Sequence, residues 1–201
     1  TMIGSSMFVW SKKKDHKFIS ESSYPVQAAE WILENLDTKN IKLYNEYDKF
    51  LKDKHFLIIY QQGKSKKSVT IGFRDMNFLH LTGIQTKLTA KRFYEACLSG
   101  KLAEKDIELD DKGTTQQKLE VLPFLHQILY HNCMIGHFIN SGICIRADYF
   151  VGDTKAVLSL GVRNGKTVDI PVSLYKENVK KLVSPTCKVL AIFSKKYNEQ
   201  K

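Results

Sequence analysis

A histidine, a few cations and a few hydroxyls are the only groups in this 201-residue chain arranged to suggest chemistry. They are His80, Thr82, Lys91, Arg92, Asp153, Lys155, Arg163, Ser173 and Tyr175. A histidine moves protons near neutral pH. Lysine and arginine offset the charge that builds on a pentavalent phosphorane. A hydroxyl orients a phosphate oxygen by hydrogen bonding. RNA carries its own nucleophile, the 2′-OH, so no metal-activated water is needed. This kit suits metal-independent attack on a phosphodiester. His80 is the focus. It stands in "FLHLTG" (Phe78–Gly83), between two leucines, where it is either a core residue with satisfied nitrogens or the working group of a site.

Other chemistries lack their signatures. There is no Walker loop, G-x-G-x-x-G, H-E-x-x-H or G-x-S-x-G. Asp110-Asp111 reads as a loop, and no carboxylate cluster suggests magnesium. The cysteines, at 97, 133, 144 and 187, form no C-x-x-C pair, so neither zinc nor any other metal or cofactor is expected. Four thiols without a secretory leader fit a reducing cytoplasm, with each thiol a small buried hydrophobe. His126, His131 and His137 have no acid placed to complete a site and read as structural or surface residues. No apolar run approaches a membrane span. Thirty-one basic against 21 acidic residues give a net charge of +10. That favours an anionic partner over a merely solvated lysine surface.

The elements that must position these groups are helices first, then strands, then helices, then strands. Ser23 and Pro25 open a first helix over "SSYPVQAAEWILENL". "KLYNEYDKFLKD" is a weaker helix or a loop. "HFLIIYQQ" and "SVTIGFRD" are strands joined by the polar turn "GKSKK". "LTAKRFYEACLSGK" is a helix with Thr89 as N-cap, Leu88 and Phe93 as a staple, and Gly100 at its end. Its first turn carries Lys91 and Arg92 where the dipole prefers acids. They form an anion site with the free N–H groups, or they are solvated. Pro123 interrupts "TTQQKLEVLPFLHQILYHN", by a kink or by starting a new helix. "GICIRADYF", "KAVLSLGVR", "KTVDIPVSL" and "CKVLAIFS" are strands.

The "RNGK" hairpin has an arguable register. A three-residue loop, Arg163 to Gly165 with Gly165 left-handed, pairs Leu160 with Val168 and Leu158 with Ile170, and sets Lys155 opposite Ser173. Pro171 cannot donate to a ladder, so its strand is expected at an edge or bulged. The expected fold is α+β: N-terminal helices plus an antiparallel four- to six-stranded sheet packed on helices. A helical segment over 1–54 precedes a domain over 55–201, and the two form one unit or two.

Several blocks carry a family resemblance. "NFLHLTGI", "LTAKRFYEACLSGKL" with "KDI", "TTQQKLEVLPFL", "VGDTKAVLSLGV" and "DIPVSLY" resemble, in this order, the phage-associated branch of the barnase–EndoU–colicin–RelE (BECR) nuclease group. The similarity runs from about Phe56 to about Phe193. His80 and Thr82 match its H-x-T block, Lys91 and Phe93-Tyr94 its basic-then-aromatic helix start, and Pro171, Ser173 and Leu174 its late P-x-S-L block. The resemblance implies a ribonuclease-like fold, a toxin-type or prophage-encoded ribonuclease, and often a neutralising antitoxin or immunity protein. A late-strand histidine found in some members of the wider group is absent here, so a lysine or Tyr175 would have to be the second proton-transfer group.

The expected activity is metal-independent endonucleolytic cleavage of RNA, such as tRNA or RNA on a cellular machine like the ribosome. His80, Lys91 and Ser173 are the expected catalytic residues, with Thr82, Arg92, Lys155, Arg163 and Tyr175 as substrate contacts. The alternatives are a catalytically inactive module of the same fold that grips RNA or a host or phage protein, and a structural domain of a phage assembly.

Overall fold

The computed structural model describes residues 43–108, 114–130, 133–139, 146–153 and 157–197. The helix expected over "SSYPVQAAEWILENL" lies outside them, as do Cys144, His131, Lys155 and the Asp110-Asp111 pair. Among the described residues, no helix is long and apolar enough to cross a membrane.

Helix α1 (Leu43–Phe50) leads into β1 (Lys54–Gln62) and β2 (Ser65–Phe73). These strands pair without interruption from Lys54↔Phe73 to Gln62↔Ser65. The turn is therefore only Gly63-Lys64, with Gly63 left-handed at φ 58°, as tight hairpins require. Ser65, Lys66 and Lys67, read from sequence as turn residues, belong to the ladder. Alternation then decides the faces: Phe56, Ile58, Ile71 and Phe73 are buried, whereas Leu57 is exposed.

Helices α2 (Asp75–Thr82), α3 (Ala90–Leu98), α4 (Thr114–Val121) and α5 (Leu125–Tyr130) follow. Pro123 sits in a 3-10 turn, Leu122–Phe124, that separates α4 from α5. Its missing N–H costs nothing there, because the first turn of a helix has no intrahelical acceptor for it. The last third supplies β3 (Met134–His137), β4 (Tyr149–Gly152), β5 (Ser159–Arg163), β6 (Ile170–Tyr175), the short helix α6 (Val179–Leu182) and β7 (Cys187–Lys196).

The strands form one antiparallel sheet of seven, in the order β2-β1-β7-β3-β4-β5-β6. That exceeds the expected four to six because "MIGH" (β3) also joins the sheet. The last strand inserts between β1 and β3, which ties the N-terminal hairpin to the meander. The sheet curls until its two edges meet. The Asp169 N–H donates to the Thr70 carbonyl at 2.7 Å, and the Gly72 N–H donates to the Asp169 carbonyl at 3.0 Å.

That closure overturns the expected β5–β6 register. Arg163 pairs with Ile170, Leu160 with Leu174 and Gly161 with Ser173, and Gly165 is not among the left-handed residues. The loop is longer because Asp169 is held elsewhere. Its backbone bonds β2. Its carboxylate accepts from the Gly165 N–H at 2.9 Å and the Tyr149 hydroxyl at 2.8 Å. The expected pairing of Lys155 with Ser173 falls with that register. Pro171 lies on the edge strand at a register shift, where a residue without an N–H does least harm.

One large core joins α1 to the concave face of the sheet, with Tyr47, Phe56, Phe73, Phe78, Phe93, Leu160 and Leu174 buried together. Tyr47 and Leu51 lie before the 54/55 boundary yet belong to this core. A second, smaller core lies on the convex face, where Val179 and Leu182 of α6 cover Phe150. Cys97, Cys133 and Cys187 are buried free thiols. Burial pushes the Cys97 and Cys133 thiols up to about 12, so at neutral pH they are protonated and unreactive.

Candidate active site

The sequence "DMNFLHLT" folds into α2 with Phe78, Leu81 and Thr82 buried. The spacing i, i+3, i+4 is one helix face, so the intervening His80 points outward and is exposed. Of the two readings of His80, the buried core residue is the one the structure removes. The anchoring is strong. The Phe78 ring lies 5.1 Å from Tyr47 and 5.5 Å from Tyr94, and packs with Phe93 at 6.2 Å. At the start of α2, Asn77 accepts from the Arg74 N–H at 2.8 Å.

Thr82 ends the helix. Its hydroxyl donates to the Leu79 carbonyl at 2.8 Å and accepts from the Ile84 N–H at 3.2 Å. The group is fully buried, so its hydrogen-bonding capacity serves the turn. Gly83 follows in the left-handed region at φ 71°, the C-terminal position where lacking a Cβ matters most. A second reason for glycine is close approach. A Cβ here would stand 2.6 Å from Lys118 Cδ and 3.1 Å from its Nζ. The Lys118 chain, from α4, therefore lies across the end of α2. Its ammonium lies close to Gly83, three residues after His80. Thr115, also on α4, fixes this junction by donating to the Gly83 carbonyl at 2.8 Å. Lys118 was not singled out from sequence. The "HLTG" glycine was the available signal, since its missing side chain leaves room for something.

α3 packs against α2. Thr89 caps it, accepting from the Arg92 N–H at 3.4 Å. Gly100, expected from sequence to end the helix, follows it in the left-handed region at φ 62°. Lys91 and Arg92 are exposed on the first turn, and no acid shares that turn. Lys87 just before it pairs loosely with Glu108 at 3.7 Å. The helix packed beside the one that carries His80 thus adds two exposed cations.

β6 also lies against α2. Leu174 points into the large core, while Ser173 and Tyr175 alternate to the convex face. There the Tyr175 ring meets Phe150 edge-on at 5.4 Å. Burial raises the Tyr175 pKa, and the Ser173 hydroxyl bonded to it pulls it partly back. The phenol is therefore a proton donor at neutral pH, not a base. Arg163 is exposed at the end of β5. α2, which carries His80, thus touches both α3, which carries Lys91 and Arg92, and β6, which carries Ser173 and Tyr175. Among the described residues no hydrogen bond or ion pair joins His80 to any of the others. Lys155 lies outside the described residues, and no group of three or more His, Cys, Asp or Glu among the described ones could hold a metal ion.

The other described histidines have separate roles. His126 stacks on Phe50 at 4.7 Å and lies 3.6 Å from Glu46. His137 is exposed on β3. His55 is different. Desolvation first, then Arg74 and Lys195, lower its pKa below 6.5. A depressed histidine favours the neutral form in the folded state, so its contribution is intact above about 6.5 and is lost as pH falls below that value. The melting temperature should drop between pH 7.5 and pH 5, and less in His55→Gln than in the wild type. Equal drops would mean that His55 carries none of this dependence.

The family model described as phage-Barnase-EndoU-ColicinE5/D-RelE like nuclease4 matches residues 41–201, most of the chain. No curated protein and no solved structure matches it.

Proposed function

The chain belongs to the phage-associated barnase–EndoU–colicin–RelE-like nucleases, and on that premise we propose that it is a metal-independent endoribonuclease of prophage or toxin type. The observation that carries this reading is the exposed His80 near the end of a helix pinned into the core, with the Lys118 ammonium beside Gly83 at that end. In the reaction, His80 takes the proton from a ribose 2′-OH. The 2′-oxygen bonds to phosphorus, and the bond to the 5′-oxygen of the next nucleotide breaks. A 2′,3′-cyclic phosphate results, and the leaving oxygen takes a proton from a second group. Lys118 and, from α3, Lys91 and Arg92 offset the charge on the phosphorane. No metal-bound nucleophile is required in this reading, because RNA supplies its own 2′-OH.

Ser173 and Tyr175 lie on β6, the strand α2 lies against, but on the face opposite Leu174, so in this reading a lysine serves as the second proton-transfer group. An antitoxin or immunity protein would be expected to cover the face that carries His80. The second reading, a nuclease-fold module that binds RNA without cutting it, is favoured by one observation. Among the described residues, His80 has no hydrogen-bonded partner for proton transfer.

The test is digestion of total RNA and tRNA by the whole chain in excess EDTA. Cutting that survives chelation supports the ribonuclease. Salt-sensitive binding without cutting supports the module. Ser173→Ala in the same assay tests the role of β6. A loss as large as that of His80→Ala would put Ser173 in the site, and retained activity would confine the chemistry to the helices.

A further inference from the structure

Among the described residues, the convex face of the sheet is covered over only half its width. Under α6, Phe150, Val172 and Tyr175 are packed. No such cover lies over β2, β1 and β7 on the same face among the described residues. Cross-strand pairs define its residues: His55 sits between Gly72 and Lys195, Leu57 between Thr70 and Phe193, and Ile59 between Ser68 and Ala191. Phe193 is 58% exposed, Tyr197 51% and Leu57 37%. Exposed rings on an open sheet face call for an occupant.

Charge selects the occupant. The three strands read "KHFLIIYQQ", "SKKSVTIGF" and "CKVLAIFSKK", with several lysines and no Asp or Glu. Lys66 and Lys195 lie on the face itself, opposite Gln61 and His55. Arg74 adds a guanidinium 4.6 Å over the Tyr197 ring, and its Nη2 donates to the Tyr197 hydroxyl at 2.7 Å. The His55 ring meets Tyr197 edge-on at 5.0 Å, so Tyr197 is held in place before any ligand arrives. Asp53, at the strand end, faces Lys52 at 3.9 Å. A ring-bearing, cation-flanked, acid-free sheet face matches unpaired bases on a phosphate backbone.

We propose that the open face of β2, β1 and β7 is a stacking platform for single-stranded nucleic acid, which under the function proposed above is RNA. Phe193 and Tyr197 receive bases, and Lys66, Lys195 and Arg74 meet phosphates. Phe193 and Lys195 lie on the sheet, whereas His80 lies on α2, so the platform gives the chain a second grip on the strand.

The test uses the whole chain and a short fluorescent 2′-O-methyl oligonucleotide, which cannot be cleaved through its 2′ position, read by anisotropy over a salt series. Phe193→Ala should weaken binding about tenfold, within the range for one lost stack. Phe193→Trp should bind at least as tightly as the wild type, and Phe193→Leu should be as weak as the alanine variant. Lys195→Gln should lower the slope of log affinity against log salt by about 0.7. A duplex of the same sequence should bind more weakly. The proposal is overturned if Phe193→Ala binds within twofold of the wild type, or if the duplex binds equally well. It is also overturned if Phe193→Leu binds like the wild type, because an apolar protein partner would accept leucine. Phe193 is exposed, so loss of folding does not confuse these results. The probe is not cut, so failure of the ribonuclease reading leaves the outcome interpretable, and His80→Ala should bind it like the wild type.

Discussion

His80→Ala should lower the rate of RNA cleavage in EDTA by about 10²- to 10⁴-fold, the usual worth of a positioned general acid or base. That is about 2.7–5.4 kcal/mol on the barrier. The variant should fold normally, because the side chain is exposed on α2 and its neighbours Phe78, Leu81 and Thr82 do the packing. An exposed substitution away from caps and charge pairs typically changes stability by within about 0.5 kcal/mol. An unchanged melting curve beside a lost rate is thus the expected pair of results. Free imidazole in the buffer should restore part of the rate, since the vacated position is open to solvent. Lys118→Met should also slow cleavage, with a smaller loss, because Lys91 and Arg92 still supply positive charge nearby. If His80→Ala cuts at the wild-type rate, His80 is a surface residue and the chemistry lies elsewhere. If the melting temperature falls with the rate, the residue's role is structural.

Phe78→Ala should be the most damaging substitution in the same helix, and for the opposite reason. Its ring is fully buried and touches Tyr47, Phe93 and Tyr94. Truncating a buried phenylalanine costs about 3–5 kcal/mol, part lost transfer free energy and part cavity. At about 2–4 °C per kcal/mol for a chain of this size, the melting temperature should fall by about 6–20 °C. Cleavage should fall too, because α2 is held in place through this ring. Phe78→Leu refills much of the volume and should recover most of both. A calorimetric scan of the three chains checks it. A change below about 1 kcal/mol for Phe78→Ala would mean that the aromatic cluster does not anchor α2.

The sequence by itself determined what is local. Thr89 and Gly100 marked the ends of α3 because a cap bond and a left-handed residue involve only near neighbours. Pro171 marked an edge or bulged strand because it has no N–H, whatever surrounds it. The β1 and β2 strands followed from their alternation, and the family resemblance rests on blocks of the same local kind, "HLTG" among them. The chemistry proposed for His80 also rests on residue types alone, and the cleavage assays above are its test.

What only the tertiary structure decided depends on contacts between residues far apart in the chain. The β5–β6 register was misread because Asp169 is claimed by Thr70 and Gly72 of β2, about a hundred positions earlier. β3 is four residues long and is a strand only because β4 and β7 flank it. Lys118 lies across Gly83 because α4 packs on the end of α2. Phe193 and Tyr197 share a face with Lys66 because β7 enters the sheet beside β1. A strand's partners, and the side chains that meet across them, are chosen by burial of the whole sheet. No window of sequence contains that information.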